Sequence, residues 1–306
     1  MDNDTDFGQG HVAVLARQVS EYLSPVGRRV LVDCTVGLGG HSEVLLSQAD
    51  EDACLIGLDV DEACLRAARE RLEPFGRDRV RLFLANFSQL PEVLQEADVG
   101  LADVILADLG VCSAQLDDPA RGLSFQADGP LDMRLDARSD LTAAKIVGTF
   151  GEEELADLIY EFGQERYSRR IARAIVNARK AGAIISTAQL EKVIFGSLPG
   201  PVRRSRRGVH PATRTFQALR IAVNDEMKNL DVLLESLKTC LAPGGVAGII
   251  SFHSLEDRRV KMAFRQWALA GTAEVLTPKP ITADAAESGE NPRSRSAKLR
   301  VVKRLN

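Results

Sequence analysis

The chain is 306 residues long, and its 45% hydrophobic and 27% charged residues are typical of a globular protein with a large core. No apolar run approaches the roughly 20 residues of a membrane-spanning helix, and the acidic start has no signal-peptide layout. Five dispersed cysteines without a C-x-x-C pair predict reduced thiols in a cytoplasmic protein, with no disulfides and no metal site. The net charge of −4 gives no overall indication of a nucleic-acid partner.

The first third of the chain alternates strand-sized apolar runs with helical patterns. This alternation predicts an α/β fold, in which a parallel sheet carries helices on both faces. In such a sheet ligands bind where the loops follow the strands. The predicted strands are Val30–Asp33, Leu55–Asp59, Val80–Leu84 and Val104–Asp108, and the predicted helices include Ala63–Leu72 and Gln89–Gln95.

The loop after the first predicted strand is rich in glycine. Gly37, Gly39 and Gly40 fill three of four positions and lead into a helical pattern. Glycines there let the backbone approach a bound ligand that a Cβ atom would block. In the dinucleotide pattern G-x-G-x-x-G the third glycine would stand at Ser42, so the loop favours another adenosine cofactor.

Three further strand ends carry groups that suit an adenosine. Asp59 ends the second strand and can accept hydrogen bonds from both ribose hydroxyls. Phe87 follows the third strand and can stack on an adenine, although core packing is the alternative. Asp108 ends the fourth strand, at the cofactor's reactive end, and capping a turn is its alternative role. Cys112 is a weaker candidate nucleophile, because no histidine lies near it in sequence.

The strand–helix alternation stops after the fourth strand. The next buried strand is Val246–Ser251, and a long amphipathic helix from near Pro211 to Leu241 precedes it. Residues 114–206 are therefore predicted to form an inserted, mainly helical subdomain, whereas 1–113 and 207–306 form the sheet domain. Helical patterns in the insertion cover Glu152–Tyr160, Arg166–Ala178 and Thr187–Phe195.

The last part of the chain predicts one helix and one strand. Ser254 can cap a helix that runs to about Trp267, and residues 277–296 have the composition of a loop. Ala297–Leu305 predicts a final strand, whose basic residues suit an exposed sheet edge.

Positive charge is concentrated in three zones. Residues 166–180, 203–220 and 291–306 contain eighteen Lys and Arg residues, mostly Arg, and no Asp or Glu. Because guanidinium groups match phosphate geometry, the zones predict contact with a nucleic-acid backbone. The alternative is that each zone is an ordinary solvated face of a helix or strand.

Several sequence strings together resemble the ribosomal RNA small-subunit methyltransferase H family, also called MraW. The likeness extends from about His11 to Val301, although Ala13 replaces a proline that the family usually has. The strings are DCTVGLGGHS from Asp33, DLGVCSAQLDD from Asp108, RGLSF from Arg121, DGPLDMRLD from Asp128, HPATRTFQALRI from His210, ISFHSLEDR from Ile250 and NPRSRSAKLR from Asn291.

The resemblance implies both a fold and a function. It implies a Rossmann-like class I methyltransferase sheet with an inserted subdomain, and S-adenosyl-L-methionine as the cofactor. It also implies methylation of the exocyclic N4 of a cytidine in the decoding region of bacterial 16S ribosomal RNA, within free RNA or the small ribosomal subunit. The cofactor contacts that it implies are Gly39, Gly40, His41, Asp59, Phe87, Asp108 and Gln115.

The residues that act on the substrate are hypotheses from position along the chain. Many amino-methyltransferases carry an Asn/Asp/Ser-Pro-Pro-aromatic tetrad after the fourth strand, and this chain has Asp108-Leu109-Gly110-Val111 there instead. We expect Asp108 at the reactive end, with Ser251 or His253 nearby, although a structural role for His253 is an equal alternative. The candidate RNA-binding residues are Arg203, Arg204, Arg206 and Arg207.

Two other functions fit parts of the pattern. A Rossmann oxidoreductase would use the same strand–loop–helix unit, but Ser42 in place of a third glycine disfavours it. A non-catalytic ribosome-assembly or RNA-binding protein would explain the arginine zones. The complete set of cofactor-compatible strand ends disfavours that second alternative.

Overall fold

The computed structural model describes residues 13–204 and 210–306. The chain forms two compact units: the first comprises Met1–Gly110 and Met227–Asn306, and the second comprises Val111–Glu226. Within the described ranges, no helix combines the length and apolar character needed to cross a bilayer. Elements are numbered below along the whole chain.

The first unit is built on a mixed sheet, which has seven strands in the described residues. Its order is β3-β2-β1-β4-β5-β7-β6; the first five are parallel, and β7 runs antiparallel to both β5 and β6. The predicted α/β fold and its five parallel strands are therefore confirmed. The strands are β1 Val30–Asp33, β2 Cys54–Asp59, β3 Val80–Leu84, β4 Ala102–Asp108, β5 Leu241–Ser251, β6 Ala273–Val275 and β7 Lys298–Arg304.

Helices pack on both faces of this sheet. Along β4 successive side chains alternate between faces, so Val104 and Leu106 join one apolar core while Ile105 and Ala107 join the other. α1, α2 and α3 contribute to the first core, and α4, α12 and α13 contribute to the second. The helices are α1 Ala16–Tyr22, α2 Gly40–Leu46, α3 Glu62–Leu72, α4 Leu90–Glu96, α12 Glu226–Cys240, α13 Ser254–Leu269 and α14 Ala285–Glu290.

The predicted exposed edge at the end of the chain is wrong. β7 lies between β5 and β6, and its residues Leu299, Val301 and Val302 are fully buried. The edge position belongs to β6, a three-residue strand too short to show a period in the sequence. The loop predicted over 277–296 contains α14 and a 3-10 helix, Pro292–Ser296.

The second unit is mainly helical and has its own apolar core. That core includes Ile146, Ile159, Ile171, Leu190 and Leu219, all of them fully buried. The three helices predicted inside the insertion are present, and Ser186 forms the capping box that begins α9. The helices are α5 Ser113–Asp117, α6 Ala143–Thr149, α7 Glu152–Gly163, α8 Ser168–Ala181, α9 Thr187–Ser197, α10 Gly200–Arg204 and α11 Thr213–Val223.

The single long helix predicted from near Pro211 to Leu241 is in fact two helices. α11 ends at Val223, and Asp225 takes a left-handed conformation (φ 48°) before α12 begins. The helix stops at Asn224, whose side chain forms three hydrogen bonds. Its Nδ2 donates to the carbonyls of Met133 and Arg220, and its Oδ1 accepts from the Leu135 amide.

The break between α11 and α12 shifts the predicted boundary between the insertion and the sheet domain. Phe216 and Leu219 of α11 belong to the core of the second unit. The compact unit therefore extends over 111–226, beyond the predicted insertion 114–206. The apolar spacing conceals the break because both helices have the same period and neither Gly nor Pro separates them.

The loop between α5 and α6 is fixed by close backbone contacts. A Cβ atom on Gly122 would lie 2.0 Å from the carbonyl oxygen of Pro130, and one on Gly129 would lie 1.9 Å from that of Pro119. Arg134 adds a two-pronged ion pair with the Asp132 carboxylate, at 2.7 and 2.8 Å. The segment is thus a tightly packed part of the second unit.

Candidate cofactor-binding site

The glycine loop follows β1 and turns the chain into α2. Gly37 and Gly39 adopt left-handed conformations, with φ of 51° and 81°, that favour glycine. A Cβ atom on Gly39 would also stand 3.4 Å from the Cα atom of Ala68 in α3. The backbone conformation therefore favours glycine at position 39, where a Cβ atom would make only ordinary packing contacts. The loop's amide groups lie at the carboxyl edge of the sheet, the expected place for a ligand.

Asp59, at the end of β2, holds this loop. Its Oδ2 accepts a hydrogen bond from the Gly37 amide at 2.9 Å, and its Oδ1 accepts one from the Asp61 amide at 2.9 Å. A carboxylate oxygen can accept more than one hydrogen bond. The residue predicted to bind ribose is thus oriented by the same loop that forms the predicted cofactor cradle.

A buried polar cluster, defined as Asp33, His41, Ser42 and Asp108, lies beside the glycine loop. Asp33 is completely buried at the end of β1, and the Ser42 hydroxyl donates to its Oδ2 at 2.7 Å. Burial raises the pKa of Asp33, an effect that nearby His41 and the Ser42 hydroxyl oppose. Sequence reasoning missed Asp33 and treated Ser42 only as a missing glycine, although a polar residue at the start of an apolar helix was a usable signal.

His41 and Asp108 form the functional side of this cluster. His41 Nε2 lies 3.5 Å from Asp108 Oδ2, and the side chains are 7% and 23% exposed. Burial lowers the pKa of His41, but the adjacent Asp108 carboxylate, helped by Asp33 and Glu287, outweighs it and raises that pKa overall. The Asp108 carboxylate therefore favours the protonated form of His41.

Buried polar atoms without hydrogen bonds mark where a ligand fits. In the described part of the chain, Asp108 Oδ1 and both ring nitrogens of His41 are buried and have no hydrogen-bond partner. The Asp108 backbone, in contrast, is fixed by donation to Thr35 Oγ1 at 2.6 Å. Because unsatisfied buried groups are costly, these atoms suit a polar ligand such as an amino acid moiety. The site therefore fits an adenosyl amino-acid cofactor.

Phe87 takes the core-packing role that was the alternative to adenine stacking. It begins a 3-10 helix, Phe87–Gln89, that the Asn86 side chain caps through the Ser88 amide at 2.9 Å. The ring is half-buried and packs against the core of the first unit. Its exposed part leaves adenine stacking possible, so that role stays a prediction.

Gln115 lies in the second unit, on α5. It is buried, and its Oε1 accepts a hydrogen bond from the Cys112 amide at 3.0 Å, so it caps its own helix. Contact with the cofactor stays a prediction for this residue.

His253 has the contacts of a structural histidine. It caps α13 through its Nδ1, which accepts from the Glu256 amide at 3.4 Å. Its Nε2 lies 3.2 Å from Glu256 Oε1, and Glu256 Oε2 in turn accepts from the Phe252 amide at 2.8 Å. The Nδ1 cap favours the structural alternative, but Nε2 is buried and forms no hydrogen bond with the described residues, so a role in chemistry stays a prediction.

The arginine zones are not uniform. Arg203 and Arg204 are exposed on α10, whereas Arg206 and Arg207 lie outside the described residues. Other zone residues have structural partners: Arg220 forms a two-pronged ion pair with Glu226, and nearly buried Arg300 pairs with Asp257 at 2.7 Å. Only part of each zone can therefore serve as a phosphate-binding surface.

The sheet order, the glycine loop and the acidic strand ends define a Rossmann-like protein of the class I methyltransferase type. The sequence profile of the MraW methylase family matches residues 8–305. A ribosomal RNA small subunit methyltransferase H from Sorangium cellulosum is 49% identical over 301 residues, covering 97% of this chain and 92% of its own. The protein of that name from Symbiobacterium thermophilum is 46% identical over 310 residues, covering 96% of each chain.

The chain therefore belongs to the MraW methylase family. Membership confirms the predicted family and the prediction that the protein is a methyltransferase. It favours that prediction over the oxidoreductase and the non-catalytic alternatives.

Proposed function

We propose that the protein transfers a methyl group from S-adenosylmethionine to the exocyclic N4 of a cytidine in the decoding region of bacterial 16S ribosomal RNA. Family membership and the names of the relatives support small-subunit ribosomal RNA as the substrate. The observation that carries the chemistry is the buried, unpartnered carboxylate oxygen of Asp108 beside the glycine loop.

The first unit supplies the cofactor site. When bound, S-adenosylmethionine provides an electrophilic methyl group on a sulfonium sulfur. The glycine loop would let the protein backbone lie close to the cofactor at Gly37, Gly39 and Gly40. Asp59 would accept hydrogen bonds from the ribose hydroxyls, and Phe87 would stack on the adenine. His41 and Asp108 would hold its polar amino acid part, because their buried polar atoms require hydrogen-bonding partners.

Asp108 would also act on the acceptor amine. The lone pair of a cytosine amino group is delocalised into the ring, so the nitrogen is a poor nucleophile. A carboxylate oxygen that accepts a hydrogen bond from this amine favours localisation of the lone pair and can receive the proton as the new bond forms. His41, whose Nε2 lies 3.5 Å from Asp108 Oδ2, would help to position this carboxylate.

The second unit would recognise RNA. A target base must leave its stack to reach a buried methyl donor, which favours a loop or a partly single-stranded segment. Exposed arginines on α10, Arg203 and Arg204, would contact phosphates with Arg206 and Arg207 of the same zone.

The proposal is tested by methyl incorporation with tritiated S-adenosylmethionine into both free 16S ribosomal RNA and assembled small subunits. Nucleoside mapping of the product should identify N4-methylcytidine in the decoding region. Labelling on another atom or another nucleotide, or no labelling of either substrate, would contradict it.

The role of Asp108 is tested separately by single-turnover kinetics. Asp108→Asn should lower the rate of methyl transfer about a hundredfold or more, the usual range for loss of a positioned acid or base. His253→Ala is the comparison variant, with cofactor affinity measured for both proteins. If both variants bind the cofactor normally and keep the wild-type rate, the catalytic assignment is wrong.

A further inference from the structure

A second candidate site lies wholly within the second unit, between α7 and the start of α8. It is a hollow of about 360 Å³, a size within the range of small-ligand sites. We call it the tyrosine–arginine hollow. Its lining residues are Asp157, Tyr160, Arg166, Tyr167, Ser168, Arg169 and Arg170.

Tyr160 is the unusual residue of this hollow. It is 65% exposed, although neighbouring Leu155 and Ile159 of α7 are fully buried in the core. Among the described residues no other aromatic ring packs on it. An exposed, unpartnered aromatic face beside a cavity is suited to stacking with a planar group.

Three arginines line the same hollow as Tyr160. Arg166, Arg169 and Arg170 are all exposed, and within the described ranges none of them pairs with a carboxylate. Two are held in place by neutral contacts. Arg166 lies over the Tyr167 ring, 4.8 Å from its centroid, and Arg170 Nε donates to the Ser197 carbonyl.

Other arginines of α8 have partners. Arg173 pairs with Glu152 at 3.1 Å, and Arg179 donates to the carbonyls of Val147 and Phe150, both at 2.8 Å. Arg166, Arg169 and Arg170 therefore bring three charges without a carboxylate partner among the described residues to the hollow, whereas Arg173, one turn further along α8, is ion-paired. That distribution distinguishes a binding site from a uniformly solvated helix face.

We propose that the tyrosine–arginine hollow binds one nucleotide of single-stranded ribosomal RNA, with the base stacked on Tyr160 and the adjoining phosphates on Arg166, Arg169 and Arg170. Aromatic stacking beside cationic groups is how proteins bind unpaired RNA. Asp157 in the lining can accept a hydrogen bond from a base amino group, and it disfavours an isolated phosphate as the occupant. The inference rests on the proposed function and adds a second RNA contact to that of the methylated base.

The test measures binding of a fluorescein-labelled single-stranded 16S RNA fragment to the full chain by fluorescence anisotropy. Tyr160→Ala should weaken binding about tenfold, and Tyr160→Phe, which keeps the ring, should bind like wild type. Gln at positions 166, 169 and 170 together should lower the slope of log affinity against log salt by about 2, since each single-strand phosphate contact contributes about 0.7. Arg173→Gln, on the same helix but ion-paired, is the matched control and should change neither quantity.

Photocrosslinking localises the contact independently of affinity. The same fragment carrying 4-thiouridine should give an adduct on the peptide that contains Tyr160, and the adduct should be lost in Tyr160→Ala. If these variants bind like wild type and the adduct lies elsewhere while the wild-type enzyme methylates 16S RNA, the hollow is not an RNA site and the proposed function stands. RNA binding and crosslinking at the hollow without methylation of any RNA would instead contradict the proposed function alone.

Discussion

The polar groups of the two units are arranged in opposite ways. In the first unit the polar side chains of the candidate site are few, buried and held by one another or by backbone amides, as in the Ser42–Asp33 and Gly37–Asp59 hydrogen bonds. In the second unit the candidate RNA-binding groups are exposed arginines, and those of the tyrosine–arginine hollow have no carboxylate partners among the described residues.

This difference indicates how each unit would recognise its ligand. Buried and fixed groups select one small molecule through geometry, and their loss is costly because partners remain unsatisfied. Exposed cations bind a polyanion through many weak contacts that salt screens, so the removal of any one cation lowers the affinity only slightly. We therefore expect substitutions in the first unit to act on the cofactor and those on the second unit's surface to act on RNA.

The largest expected effect tests whether the second unit has an independent fold. Gly122→Ala places a Cβ atom 2.0 Å from the Pro130 carbonyl at a residue with φ of 65°, and it should destabilise the unit by about 4 kcal/mol. Hydrogen exchange should show faster opening of amides in 111–226 and unchanged protection in β1, β2 and β4. An equal loss of amide protection in both units would mean that they unfold together.

A matched control exists for that substitution. Gly148 lies in α6 with nothing within 4 Å of a built Cβ atom, so Gly148→Ala should be neutral or stabilising by up to about 1 kcal/mol.

The next effect tests selection of the cofactor by fixed groups. Asp59→Ala removes the acceptor for the Gly37 amide and the predicted acceptor for ribose, so S-adenosylmethionine affinity should fall about a hundredfold. Isothermal titration calorimetry measures this directly, and RNA affinity should be unchanged. A loss of RNA binding with normal cofactor binding would reverse the roles assigned to the two units.

A smaller effect is expected from the exposed arginines. Glu at positions 203, 204, 206 and 207 together should weaken binding of 16S RNA about tenfold and lower its salt slope by about 3, without changing cofactor affinity. Anisotropy titrations at several salt concentrations give both values. Arg17→Glu, at an exposed arginine of the first unit, serves as the charge-change control. Unchanged RNA affinity would exclude this zone from the interface.

The smallest effect is electrostatic and lies within the buried polar cluster. Asp108→Asn should lower the pKa of His41, because the neighbouring carboxylate is what raises it. The titration can be followed by NMR of the imidazole, since the chain has only four histidines. Asp59→Asn is the control and should leave the His41 pKa unchanged.

The same pKa sets a pH dependence of stability. A histidine pKa raised in the folded state contributes stability that is fully present below the unfolded value of about 6.5 and is lost as pH rises through the folded value. The free energy of unfolding of wild type relative to His41→Gln should therefore decrease as pH rises through that range. A difference that grows with pH would contradict the ion-pair interpretation.

Local patterns predicted the parallel part of the sheet well. β1 and β3 have the predicted bounds, and β2 and β4 begin one and two residues earlier than predicted. β1, β2 and β4 are mostly buried apolar runs that end in an aspartate, whereas β3 is only partly buried and ends in Leu84. The glycine loop, Asp59 and Asp108 were found for the same reason, since strand ends of a parallel sheet meet at one edge.

Features that depend on distant partners were not predictable in this way. The interior position of β7 results from pairing with β5, about fifty residues earlier, and the α11–α12 break results from bonds between Asn224 and the loop around Met133. The Asp33–Ser42 bond shows the same limit at the site: neither residue type indicates the other until the fold brings them together. Likewise, only the three-dimensional structure shows that Arg220 and Arg300 pair with carboxylates, and so distinguishes these structural arginines from those that can bind phosphate.

The position of β7 has a consequence for the order of assembly during synthesis. The second unit is one continuous segment, whereas β5, β6 and β7 of the first unit are translated only after that segment is complete. A nascent chain can therefore complete the helical unit while β4 still has an open, apolar edge, a state prone to wrong pairing. β7, which is translated after β5 and β6, closes the sheet between them, so a chain that lacks β7 should be prone to aggregation.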